Sequence, residues 1–177
     1  MQAKKLVKLG LASLCGLTVS ALADNPISTY HYLADPGAAA DDDYFYIITD
    51  SDDPAAYNAT GYNIKALYAF RSKDMQNWTD FGIIYDARKV NGINDIWASG
   101  IAIKDGKFYI VFPDGGGGGV GYIKAPAIDG PWENAVNGKS KLVGGAGVIG
   151  CDGVSWCFDP SIFVDDDGTA YVTWGGG

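Results

Sequence analysis

The sequence predicts an all-β chain that forms part of a β-propeller, and three observations lead there. One hairpin pattern occurs three times: a short apolar run, an Asp-containing turn, then a strand rich in aromatic and β-branched residues. Its leading residues, Asp35, Trp97 and Asp159, stand 62 residues apart, and the turn aspartates Asp43, Asp105 and Asp167 keep that interval. No stretch beyond the leader carries an amphipathic-helix pattern. A strand-rich unit recurring at this length belongs to a solenoid or a propeller, and more than one hairpin per unit favours four-stranded blades. The first strand of each propeller blade lines the central channel. Asp35, Trp97 and Asp159 are therefore expected to meet at one funnel.

Taken in order, residues 1–23 read as a signal peptide. Lys4, Lys5 and Lys8 precede a short apolar run, Leu9 to Val19, and Ala21-Leu22-Ala23 fits a cleavage site. The run is too short to span a bilayer, so the protein is expected to be secreted or periplasmic. Residues 24–177 form the N-terminal part of the propeller domain. Tyr30-His31-Tyr32 leads into the first hairpin. Asp50 to Gly61 reads as a polar loop at a surface or rim. Ile64 to Phe70 is the third strand, Arg71 to Thr79 an outer turn with Trp78 packed between blades, and Ile83 to Tyr85 the outer strand. Asp86 to Asp95 crosses to the second blade.

Blade 2 repeats the layout, its second strand ending at Pro113. Gly115 to Gly119 lacks the Gly-Lys-Ser/Thr ending and helix that a phosphate cradle needs, and reads as a hairpin turn. Val120 to Lys124 is the third strand, Asp129 to Trp132 the outer turn, and Gly144 to Gly150 a flexible link. Blade 3 opens near Phe158. The chain thus holds about two and a half blades and reads as a fragment of a longer propeller.

With the three leader lysines removed, acids outnumber bases 21 to 10. That balance excludes nucleic acid and anionic membrane as partners and suits a neutral ligand such as a polysaccharide. Cys151 and Cys157 are the two mature cysteines. An exported protein permits a disulfide between them, with free thiols as the alternative.

The single histidine, His31, narrows the chemistry. No nucleophile elbow accompanies it, and the ligands for a zinc site are lacking. Carboxylates are plentiful, and Asp35 and Asp159 are distinctive: each opens an inner strand and each precedes a proline, which fixes where the carboxylate points. Glycoside hydrolysis needs paired carboxyl groups about a scissile bond, and an ionised Asp raises the pKa of a neighbouring acid. The runs Asp41–Asp43 and Asp165–Asp167 lack the alternating ligands of a calcium loop and read as solvated turns. No metal site and no cofactor are expected.

At these residues the chain resembles glycoside hydrolase family 43, on Leu33-Ala34-Asp35-Pro36, on Ile96-Trp97-Ala98 before Lys104-Asp105-Gly106-Lys107, and on Phe158-Asp159-Pro160 through Gly168. The similarity runs from about Asn25 to the end. It implies a five-bladed propeller, an inverting mechanism, a structural calcium ion as an option in the channel, and plant cell-wall polysaccharide or oligosaccharide as partner. By resemblance Asp35 matches the general base, Asp159 the aspartate that tunes the acid, and Trp97 an aromatic near the sugar. The Ala-Asp-Pro form is closest to arabinofuranosidase and arabinoxylan-debranching members. β-Xylosidase, endo-arabinanase and a non-catalytic sugar-binding propeller are the alternatives. The related fructan-active class is disfavoured, because its Asn-Asp-Pro-Asn and Arg-Asp-Pro motifs are missing. The family's acid is a Glu, and the one glutamate here, Glu133, sits in an outer turn outside that motif. The chain as given is expected to lack the proton donor.

Overall fold

The computed structural model describes residues 26–52, 63–134, 136, 139–144, 149–151, 153 and 156–176. The leader and most of the polar stretch after Asp52 lie outside the described residues. Blade 1 is an antiparallel meander of β1 (Leu33–Ala40), β2 (Phe45–Ser51), β3 (Ala66–Ser72) and β4 (Trp78–Asp86). A 3-10 turn at Ala87–Lys89 starts the crossing to blade 2, with Asp86 accepting from the Arg88 amide. Blade 2 comprises β5 (Gly100–Lys104), β6 (Lys107–Pro113), β7 (Val120–Ala125) and β8 (Glu133–Asn134), and β9 (Lys141–Val143) also pairs with β7. The hairpin of β10 (Phe158–Val164) and β11 (Ala170–Gly175) is the inner half of blade 3.

The three inner hairpins share a plan but not a turn. Blade 2 turns on two residues, Asp105 and Gly106, both at positive φ (50° and 70°), the geometry that matches strand twist in a tight hairpin. Blade 1 uses residues 41–44, where Asp41 accepts from the Asp43 and Tyr44 amides and from the Tyr46 hydroxyl. Blade 3 uses residues 165–169, closed by Asp165 N–H to the Thr169 carbonyl and by Thr169 N–H to the Asp167 carboxylate. The acidic runs therefore shape turns, and among the described residues no group of three acids, histidines or cysteines is arranged to hold a metal ion.

The core lies between blades. Strand β6 reads Lys-Phe-Tyr-Ile-Val-Phe-Pro, nearly all apolar, because both of its faces are covered. Phe108, Ile110 and Phe112 face blade 1, against Tyr46, Ile48, Leu67 and Tyr85. The Tyr46 and Phe108 rings meet edge to face at 5.0 Å. Tyr109 and Val111 face blade 3, against Ile162, Val172 and Trp174. The far face of blade 3 is open, with Phe163 and Tyr171 more than half exposed.

Two glycines bring the inner strands together. A Cβ at Gly37 would stand 2.5 Å from the Ser99 carbonyl oxygen of blade 2, and one at Gly100 would stand 2.9 Å from the Pro160 carbonyl oxygen of blade 3. The same contact recurs one blade later, so small size at this position sets the approach of each blade to the next. Gly37→Ala is expected to lower stability by about 1–3 kcal/mol, as other overpacked sites do. A urea titration checks it against Gly117→Ala, whose new Cβ would meet nothing within 4 Å. Equal midpoints for the two variants would contradict the role given to Gly37.

The crossing from blade 1 is pinned by Asp114, which is almost fully buried at the end of β6. One carboxylate oxygen accepts from the Asn94 and Asp95 amides at 2.8 and 2.7 Å. The other lies 2.6 Å from the Lys141 ammonium, as an ion pair rather than an aligned hydrogen bond. Lys141 also donates to the Gly118 carbonyl. Cys151 and Cys157 form a disulfide, with Cα atoms 6.3 Å apart, ahead of β10. This settles the alternative left open by the sequence.

Candidate active site

Asp35 and Asp159 stand at equivalent kinks of two inner strands. The expectation that each opens its strand is corrected: β1 starts at Leu33 and β10 at Phe158, so each Asp-Pro pair lies inside. The pairing with the neighbouring strand slips there, between Ala34 and Gly37 and between Phe158 and Ser161. Proline cannot donate to a ladder, and a bulge is where a strand tolerates it. Both aspartates take a left-handed backbone, φ 46° and 48°, a conformation that Asp adopts more readily than most residues. The bulge turns each carboxylate out of the strand's alternation.

Blade 2 shows which of its residues is equivalent. Gly100 pairs with Val111 as Gly37 pairs with Ile48, and Trp97 N–H reaches the Pro113 carbonyl. The kink dipeptide in blade 2 is therefore Ala98-Ser99, one residue later than the uniform 62-residue interval implies. The two hairpins are equally long, Gly37 to Ile48 and Gly100 to Val111, so the extra residue lies in the chain between them. One open depression of about 380 Å³ is lined by Asp35 and Pro36, Ala98 and Ser99, and Asp159 and Pro160, the same dipeptide from three blades. Trp97 is not among its lining residues. Its ring packs by Gly115, where a Cβ would be 3.6 Å from it. Trp156, half exposed, has its ring edge to face with Phe158, next to Asp159.

The electrostatics follow from the placement. Partial burial and the nearby Asp35 carboxylate hold the Asp159 pKa above the ordinary carboxylate value. Behind Asp35 lies a third acid that sequence reasoning missed. Asp50, expected in a surface loop, is the next-to-last residue of β2, opposite Ala34, and is fully buried. Burial first, then the Asp35 carboxylate, pushes its pKa up to about 7. The signal was available in part, since Asp50 continues the strand Tyr-Phe-Tyr-Ile-Ile-Thr without a turn residue. The following Ser-Asp-Asp-Pro made the whole run read as loop. Glu133 is far from this cluster in the fold. It lies on β8, the outer strand of blade 2, exposed and 3.6 Å from Lys124.

Two carboxyls thus share an open cavity of sugar-ring scale, with a third buried behind one of them. The sequence profile of glycosyl hydrolases family 43 matches residues 23–177. The chain belongs to glycosyl hydrolase family 43. It is 38% identical over 173 residues to an arabinoxylan arabinofuranohydrolase of Bacillus subtilis (strain 168), covering 86% of this chain and 33% of that protein. A namesake from Paenibacillus polymyxa is 36% identical, covering 86% of this chain and 26% of that one. An α-L-arabinofuranosidase structure from Clostridium thermocellum superposes with a TM-score of 0.65 at 32% identity, covering 86% of this chain and 50% of that one. A xylosidase/arabinosidase of Humicola insolens is 29% identical over 159 residues, covering 85% of this chain and 46% of that protein. This family 43 chain spans about a quarter to a half of the relatives it matches. Its meanders are blades of the propeller expected from the sequence.

Proposed function

We propose that this family 43 chain belongs to a secreted, inverting glycoside hydrolase that removes α-L-arabinofuranosyl units from arabinoxylan or arabinan. The observation that carries the proposal is the convergence of Asp35 and Asp159 on one open depression, from strands in different blades. The names of the Bacillus, Paenibacillus and Clostridium relatives support the arabinose substrate. Export rests on the leader pattern at residues 1–23.

In this reading Asp35, ionised, takes a proton from a water molecule as that water attacks the anomeric carbon. The bond to the leaving oxygen breaks as a general acid protonates that oxygen, which inverts the anomeric centre. Asp159 holds its place beside the sugar and tunes the acid. Glu133 is remote from the depression, so the acid is proposed to come from outside this chain, and residues 1–177 alone are expected to be inactive. Trp97, next to Ala98, is the proposed aromatic contact for sugar beyond the cavity. The carboxyl groups suffice for the chemistry, and no cofactor is invoked. The partner is plant cell-wall polysaccharide or an oligosaccharide derived from it.

The test is an assay of the full-length gene product on aryl α-L-arabinofuranoside and aryl β-xyloside, with the first product anomer read by NMR. Faster turnover of the arabinofuranoside with inversion is the expected result. Faster release from the xyloside would replace the reading with β-xylosidase, which the Humicola relative's double name keeps in view. Sugar binding without turnover would leave a non-catalytic binding propeller.

A further inference from the structure

Asp50 is the buried acid that the hydrolytic reading leaves without a task. Neither of its carboxyl oxygens is exposed to solvent, and neither has a partner in full hydrogen-bond geometry among the described residues. Its strand neighbours on either side are Ala34 on β1 and Leu67 on β3. The charged groups that act on it are both acids, Asp35 from the β1 bulge and Asp52 just past its own strand. The Ala34 amide, which acts the other way, comes last among the influences. A fully buried carboxyl beside other acids is costly to ionise. Asp35, the charged group that acts on it most, is itself an acceptor when ionised, and two acceptors facing each other need a proton between them.

We infer that Asp50 is a positioning residue, which keeps its proton and donates its O–H to the Asp35 carboxylate, holding that group aimed into the depression. The inference rests on the role proposed for Asp35. It goes beyond that role by adding a second carboxyl, on the strand behind, that never touches the sugar. The proton stays on Asp50 throughout. The donated O–H fixes which way the Asp35 oxygens point.

The sign of the pH dependence follows. Below about pH 7 Asp50 is protonated and the donor is present. Above it Asp50 ionises, the donor is lost, and a like charge appears behind the base. Activity of the full-length protein should therefore fall on the alkaline side through Asp50 as well as through the general acid. Asp50→Asn supplies an N–H in place of the O–H but cannot ionise. It should retain activity within about threefold of the parent at pH 6, with the alkaline limb displaced upward. Asp50→Leu supplies neither, and its kcat should fall about tenfold at pH 6 with KM little changed. A purely structural role would make both variants equally poor and leave the alkaline limb in place, and that result overturns the inference.

A second measurement needs no turnover. Infrared difference spectra of the chain at pH 6, parent against Asp50→Asn, should show a protonated-carboxyl band that the variant lacks. Absence of that band in a folded parent also overturns the inference. If the band is present but the full-length protein cleaves no glycoside, the hydrolytic reading fails while the buried proton stands.

Discussion

Asp35→Asn in the full-length gene product is expected to lower kcat on an aryl α-L-arabinofuranoside by about 10²–10⁴-fold, the range for loss of a positioned general base. The substitution isolates the chemistry because Asn fits the site in other respects. It has nearly the same volume, tolerates the left-handed backbone at φ 46° as Asp does, and leaves Pro36 and the bulge alone. Thermal unfolding should be little changed, and KM should stay within a few-fold, since an interaction made only as the water is deprotonated is what disappears. Asp159→Asn gives the contrast. A residue that tunes a separate acid should shift the pH profile as well as the rate. Activity near the parent's in Asp35→Asn would remove Asp35 from the base position, whatever the cavity looks like.

The second large effect is one of folding. Lys141→Met is expected to cost about 3–5 kcal/mol, because it leaves the Asp114 carboxylate buried without its cation. Two backbone amides would still reach one oxygen of Asp114, but they do not neutralise it. The double variant Asp114→Asn/Lys141→Met should recover much of the loss, since it removes the orphaned charge while Asn can still accept from the amides. Denaturant midpoints at neutral pH decide the matter. A single variant within 1 kcal/mol of the parent would mean that the pair is cosmetic. The pair joins Asn94 and Asp95, which enter blade 2, to Gly118 in the glycine turn, so its loss should loosen the entry to β5 as well as the core.

The frame of the molecule was legible in the sequence because strands, turns and proline obey local rules. The Asp-Gly turn of blade 2 and the Val/Tyr-rich strands after each turn fell where their residue types require. The Asp-Pro pairs announced themselves as special, and their common cavity followed from recurrence alone. Other features depended on distant context. Whether Asp50 belonged to a strand or to the polar run after it was decided by the cover that β1 and β3 provide. The place of Trp97 was misread by one residue because the chain linking the first two hairpins breaks the uniform count, and only cross-strand pairing reveals that. The tight contacts at Gly37 and Gly100 involve backbone from the next blade, and no local pattern encodes them. The ion pair of Asp114 joins residues separated by two strands and a turn.

Blade 2 sits as a spacer between the two aspartates, and its inner-strand glycine and the alanine at its kink are among the smallest residues available. The gap between the carboxyls is therefore a thickness, one sheet wide, rather than the reach of any side chain. Resizing residues along β6, which pairs with the inner strand and does not line the depression, would widen or narrow the opening while every group at its rim stayed the same.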